Sequence, residues 1–206
     1  MLYPLYKYFK DKTPQWRGLF FKLFFQSAQL KIGKNFKCDT FPDLTITQNG
    51  KITIGDNVLL RRNVELRAHQ HSHIFIGDNI RIDRGVRILS TNESTIQLKD
   101  GVRIGLYTVF NGGDSIHVGE NTLISGFVYL QTSMHRYKGE GLIQKQGYDH
   151  APIHLEKDVW LGAHVVILPN VNIEQGSIVG SNAVVTKSIA KNTIVGGVPA
   201  KILKER

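Results

Sequence analysis

Residues 153–185 read IHLEKDVWLGAHVVILPNVNIEQGSIVGSNAVV, and their spacing decides the fold. Leu155, Leu161, Ile167, Ile173, Val179 and Val185 are aliphatic at strict intervals of six. Four positions after each stand Val159, Val165, Val171, Ser177, Ala183 and Ile189, all apolar apart from one small serine. Ile, Val and Leu fill 56 of the 206 positions, so six aliphatics in a row at one fixed phase arise by chance roughly a few times in ten thousand. A six-residue step fits neither simple strand alternation nor the helical periods of about 3.5 and 3.6. It fits a flat segment of about four residues followed by a corner of about two, and three such sides close a triangular coil of about 18 residues. Coils of this kind stack with like residues over like.

The same unit recurs upstream. Leu30-Lys31-Ile32-Gly33-Lys34-Asn35-Phe36 is echoed by Ile52-Thr53-Ile54-Gly55-Asp56-Asn57-Val58 and Ile74-Phe75-Ile76-Gly77-Asp78-Asn79-Ile80, and further copies start at Ile96, Ile116, Ile153 and Val171. The starts are spaced 22, 22, 22, 20, 37 and 18 residues apart. Recurring Gly-Asp-Asn, Gly-Glu-Asn and Gly-Ser-Asn strings suit corners, where a positive φ or little bulk is needed. The 22-residue spacings read as an 18-residue coil with four extra residues bulging at one corner. The 37-residue spacing means that about 17 to 19 residues are thrown out of the solenoid as a polar loop over 131–152, the place where function usually sits. Before the coils, Leu5, Phe9, Trp16, Leu19, Phe20, Leu23 and Phe24 fall at roughly helical spacing within Leu2 to Gln29, with lysines between them. They predict two short amphipathic helices, separated at Pro14, that cap the open end of the solenoid. The expected organisation is a cap over 1–29, coils over 30–196 and a tail over 197–206.

Composition agrees. A mass of 23.2 kDa is room for one domain with a sizeable core. Ile and Val number 37 against 19 Leu, with 20 Gly, which disfavours an all-α fold. The single cysteine, Cys38, cannot close an intrachain disulfide, and no CxxC or Cys/His quartet is present, so a reducing compartment is the default. The apolar run Leu19 to Phe25 is interrupted by Lys22 and is too short to span a bilayer, and no signal-peptide cleavage site follows it. The expected location is cytoplasmic, with the inner face of the membrane as a variant of that reading. Of the net charge of +9, residues 1–37 hold eight basic residues against Asp11 alone. Lysines among aromatics there suit either a solvated end cap or a peripheral contact with an anionic membrane. Nucleic acid binding has no supporting motif beyond charge.

The string Trp160-Leu161-Gly162-Ala163, then Ile167-Leu168-Pro169-Asn170-Val171, then Val179-Gly180-Ser181-Asn182-Ala183-Val184-Val185-Thr186-Lys187, then Gly196-Gly197-Val198-Pro199-Ala200-Lys201 carries a resemblance. It is similar, element for element, to the hexapeptide-repeat acyltransferases, in particular the maltose, galactoside and capsular-sugar O-acetyltransferases. The resemblance covers residues 30 to 202 and departs at Asn170, where the family usually has Gly; Asn also fits such a corner. It implies an all-β fold, a left-handed parallel β-helix of about seven triangular coils, in homotrimers whose active sites lie between subunits.

The resemblance also implies an activity: acetyl transfer from acetyl-CoA to a sugar hydroxyl, in surface-polysaccharide or related saccharide metabolism, with no metal required. Such a reaction needs a base, donors for a developing oxyanion and a groove for the pantetheine arm. The match assigns the base to His135 in the extruded loop, with His150 as its rival, since an ordinary imidazole titrates near pH 6.5. It assigns the oxyanion donor to the Ala163 N–H and a wall of the acceptor pocket, or a subunit contact, to Trp160. Asn111 is a candidate for an acceptor hydrogen bond. Gly162, Ala163, Gly180, Ser181, Thr186, Lys187 and Lys201 match cofactor-binding positions, although Lys187 and Lys201 also read as solvated charges.

Other readings stay open. Relatives of the same fold acetylate the amines of amino sugars. Zinc carbonic anhydrases share the helix, which brings His69, His117 and His135 into view as ligands, and a non-catalytic scaffold is a third class. His69, His71 and His73 fall on one side of a strand-like segment, a pattern that suits a metal or an exposed polar corner. His117, His154 and His164 occupy outward coil positions, and Cys38 occupies an inward slot as inert packing.

Overall fold

A computed structural model describes residues 3–206. Leu2 lies outside the described residues, as do the side chains of Leu5, Lys10 and Asp11. One α-helix, Tyr3–Phe25, precedes a solenoid of short strands in three sheets, two of seven strands and one of nine, all parallel except the last strand of the nine. Face A runs from Leu30–Ile32 to Val171–Ile173, face B from Lys37–Cys38 to Thr193–Gly196, and face C from Asp43–Ile46 to Val184–Val185. The fold is the all-β parallel helix of about seven coils that the six-residue register demands.

The register puts like on like. Leu30, Ile52, Ile74, Ile96, Ile116, Ile153 and Val171 pair in one column of face A. Leu66, Ile88, Phe110, Leu130, Ile167 and Val185 do the same in face C. These side chains are buried and form one continuous aliphatic core, each coil closing off the next. Cys38 is one of them, with no exposed surface, and burial pushes its thiol up to about 11. The corner between faces A and B is held by left-handed residues with Asn35, Asn57 and Asn79 among them. Their amides form a ladder, Asn35 Nδ2 to Asn57 Oδ1 at 3.0 Å and Asn57 Nδ2 to Asn79 Oδ1 at 3.2 Å.

Three expectations are corrected. The four extra residues of the long coils do not bulge; they lengthen faces C and A into four-residue strands, such as Glu65–Ala68 and His73–Ile76, that meet in a tight turn. Small buried residues Ala68, Ser72, Ser90 and Ser94 fill the sharpened corner, and Ser90 Oγ lies 2.8 Å from Ser94 Oγ. Second, the helix does not break at Pro14. A proline removes one helical hydrogen bond and crowds the preceding turn, a cost that the turns on either side outweigh here. Third, the cap contact is narrow. Phe21 is buried against Phe36 and Phe41, and a methyl on Gly18 would run into the Phe36 carbonyl oxygen. Phe9, Trp16, Leu19, Phe20, Leu23 and Phe24, expected to cover the core, are all exposed.

Candidate active site

The chain leaves the solenoid between faces C and A and forms an antiparallel hairpin, Ser133–His135 against Tyr148–His150. Ser133 pairs with His150 and His135 with Tyr148, so strand alternation places all four side chains on one face of the hairpin. The His135 and Tyr148 rings lie 4.2 Å apart, and His150 Nδ1 lies 2.8 Å from Ser133 Oγ. The other face carries the Arg136–Asp149 ion pair at 2.6 Å. Both rivals are exposed and they differ in their partners: His150 is tied to a hydroxyl, whereas His135 is engaged by ring contact.

Gly113 explains the docking of this hairpin. A Cβ there would collide with Ser133 Oγ and come within 2.7 Å of His150 Nδ1. Just before it, Asn111 on strand Val109–Gly112 donates from Nδ2 to Gln131 Oε1 at 2.8 Å, with Tyr129 Oη at 3.4 Å. Face C thus presents a polar outward strip that leads to the root of the hairpin.

Ala163 and Trp160 sit at the other end of face C. Trp160 points outward from face B, half exposed, with its Nε1 3.4 Å from Ser125 Oγ. Ala163 stands in the B–C corner before His164, whose φ is +58°. Its N–H donates to no group among the described residues, the geometry of the second residue of a type II turn. Gly162 is needed where it stands, because a Cβ would come within 2.6 Å of the Ser181 nitrogen.

This corner also holds residues that the sequence reading missed. Asn63, Gly85 and Asn182 occupy the left-handed position on some coils, but Tyr107 (φ +53°), Phe127 (φ +59°) and His164 occupy it on three consecutive ones. Their rings stack, Tyr107 on Phe127 at 5.5 Å and Phe127 on His164 at 4.8 Å. A bulky residue in this conformation costs about 1 kcal/mol or more, and such strain gathers at functional sites. The signal was available, since these are the corners where the repeat lacks Asn or Gly.

At the C-terminal end, strand Lys201–Glu205 turns back antiparallel on Thr193–Gly196, so residues 197–206 are ordered structure that builds a wall. A groove of about 520 Å³ opens beside it, lined by Thr186, Lys187, Val195, Pro199, Lys201 and neighbours. It brings together three of the matched cofactor positions. Gly180 and Ser181 lie at the B–C corner, next to Gly162; they do not line this groove, although the Gly180 N–H donates to the carbonyl of Val195, which does. A larger cleft of about 740 Å³ lies under the N-terminal helix and contains none of the matched residues.

Within one protomer His135 and Ala163 are not brought together. Face C separates them, as strand Tyr129–Gln131 on one coil and Val166–Ile167 on the next. The His69, His71 and His73 pattern is corrected as well: these residues straddle the turn between Glu65–Ala68 and His73–Ile76. His69 Nδ1 lies 2.9 Å from Thr47 Oγ1, and His73 Nε2 lies 2.9 Å from Thr53 Oγ1. His69, His117 and His135 belong to three different segments. Among the described residues no group of three or more His, Cys, Asp or Glu is placed to hold a metal ion. His117 stacks on His154 at 4.8 Å. Burial, then His154 and Lys99, hold the His117 imidazole below its ordinary range, with Asp114 opposing.

Comparison with known proteins places this arrangement. Residues 152–187 match the family described as bacterial transferase hexapeptide (six repeats). The chain is 36% identical over 92 residues to a galactoside O-acetyltransferase of Escherichia coli, covering 44% of each. It is 33% identical over 100 residues to a putative lipopolysaccharide biosynthesis O-acetyl transferase, WbbJ, of the same organism, covering 45% of this chain and 51% of that one. The chain thus spans about half the length of these curated relatives. Among solved structures, a variant of AntD, an N-acyltransferase from Bacillus cereus in complex with dTDP-4-amino-4,6-dideoxyglucose and coenzyme A, superposes with a TM-score of 0.61. It is 27% identical and covers 74% of this chain and 82% of that one.

Proposed function

We propose, from the chain's similarity to the hexapeptide-repeat acyltransferases, that it transfers an acetyl group from acetyl-CoA to a hydroxyl of a saccharide. The observation that supports this reading best is the groove that gathers Thr186, Lys187 and Lys201 at the end of the solenoid. In this reading the two lysines face the phosphates of the nucleotide end. Gly180, Ser181, Gly162 and Ala163 lead the pantetheine arm along the B–C corner, where the lack of bulk lets backbone amides approach it.

His135 accepts the proton of the acceptor hydroxyl as its oxygen bonds to the thioester carbonyl carbon. The Ala163 N–H stabilises the resulting oxyanion, the C–S bond breaks, and the imidazolium returns the proton to the departing thiolate, leaving the acetyl ester and free coenzyme A. Trp160 walls the acceptor pocket, the Tyr107–Phe127–His164 column extends that wall, and Asn111 holds an acceptor hydroxyl. Because face C separates His135 from Ala163 in one protomer, the pair is completed by the neighbouring subunit of a homotrimer. Leu123 and Trp160, half-exposed neighbours on face B, suit such a contact. The acceptor belongs to surface-polysaccharide or related saccharide metabolism.

The similarity to AntD, an N-acyltransferase crystallised with an amino sugar, favours a second reading, acetylation of a sugar amine. A coenzyme A release assay over a panel of neutral and amino saccharides tests both. Ester products are cleaved by mild alkali and amides are not. Release with no saccharide at all, or full release by His135→Ala, would sink the mechanism.

A further inference from the structure

The N-terminal helix is turned inside out for a soluble cap. It meets the solenoid through Gly18 and Phe21, and at about 100° per residue Trp16, Phe20 and Phe24 fall in one arc of about 80° on the opposite side, with Leu19 and Leu23 at its edge beside the first coil. These five are 49% to 75% exposed, and Phe20 and Phe24 stack on each other at 6.4 Å. Five residues of the helix are basic, Lys7, Lys10, Lys12, Arg17 and Lys22; Lys7 and Lys12 are exposed, and Arg17 lines the cleft beneath the helix together with Arg61 and Arg62 of the coils. Asp11 is the single carboxylate in the helix sequence. Among the described residues, no helix is long and apolar enough to cross a membrane.

We propose that this helix lies flat on an anionic lipid surface, with Trp16, Phe20 and Phe24 sunk between the headgroups and the exposed Lys7 and Lys12 reaching lipid phosphates. Charge decides the occupant. Pairing the same face with a second copy would bring two sets of lysines together, whereas an anionic bilayer complements them. The inference is independent of the proposed reaction.

Co-sedimentation of the full chain with phosphatidylcholine vesicles, with and without about 30% phosphatidylglycerol, tests it. The protein should pellet with the anionic vesicles, be released by added salt, and stay in solution with phosphatidylcholine alone. Phe20→Glu combined with Phe24→Glu should lower the bound fraction about tenfold or more, with an unchanged melting temperature and unchanged coenzyme A release on soluble saccharides. No pelleting with anionic vesicles, or equal pelleting of the double variant, overturns the proposal. So does a smaller sedimenting mass of the variant without lipid, which would assign the face to another copy of the chain.

Discussion

At the residue scale the proposed chemistry rests on one exposed imidazole and one unpaired N–H. His135→Ala should lower turnover by about two to four orders of magnitude while leaving the melting temperature unchanged, because the side chain is exposed and makes only a ring contact with Tyr148. The paired measurement is steady-state kinetics beside thermal unfolding. Phe127→Asn tests the strained column. Asn relieves about 1 kcal/mol of left-handed strain, and the lost stacking on Tyr107 and His164 costs about 0.5–1.5 kcal/mol. The two nearly cancel, so stability should barely move while the KM for the acceptor rises. A large fall in melting temperature with an unchanged KM would make the column structural.

At the element scale the hairpin is aimed by the coil beneath it. Gly113→Ala leaves the core untouched but puts a methyl where Ser133 Oγ and His150 Nδ1 now sit. Activity should fall with the fold intact, read by kinetics beside circular dichroism. The coils carry a pH dependence of their own. His117 is held neutral by burial and by His154, so below the ordinary imidazole range near pH 6.5 the unfolded chain binds the proton first. Stability should therefore be lost as pH falls from about 6.5 toward the lower folded value. Melting curves across that window should flatten for His117→Gln.

The elements also show how far the sequence could be read. Register, inward residues and the protruding loop follow from a six-residue rule that each coil obeys locally, so they were legible. The continuous helix through Pro14 was not, because a proline disfavours a helix interior without forbidding it, and the turns on either side hold here. His69, His71 and His73 were legible as a polar corner, and the structure sets them around a turn; what failed was their reading as one side of a strand, since alternation holds only while the strand continues.

At the scale of the whole molecule, the separation of His135 from Ala163 makes a prediction about assembly. Ala163→Pro removes the N–H, and proline suits the second position of a type II turn, so the corner should survive. Chains carrying His135→Ala and chains carrying Ala163→Pro should each be inactive alone. Co-refolded, they should regain part of the activity in mixed trimers, because some interfaces then join an intact His135 to an intact Ala163 N–H. Activity that never returns on mixing would place both groups in one protomer or remove one from the reaction.

By itself the sequence determined the coil, its aliphatic columns and the corners that must be small or left-handed, because each is a local demand repeated until its pattern stands above chance. It also marked Thr186, Lys187 and Lys201, 15 residues apart at most. Only the tertiary structure gathered those three into a groove, by turning the last strand back on the sheet. It alone set His135 at the far end of face C from Ala163, tied His150 to Ser133, and turned the aromatic face of the first helix outward. These depend on where stacked coils bring distant residues, and no periodicity along the chain records the distance across a face.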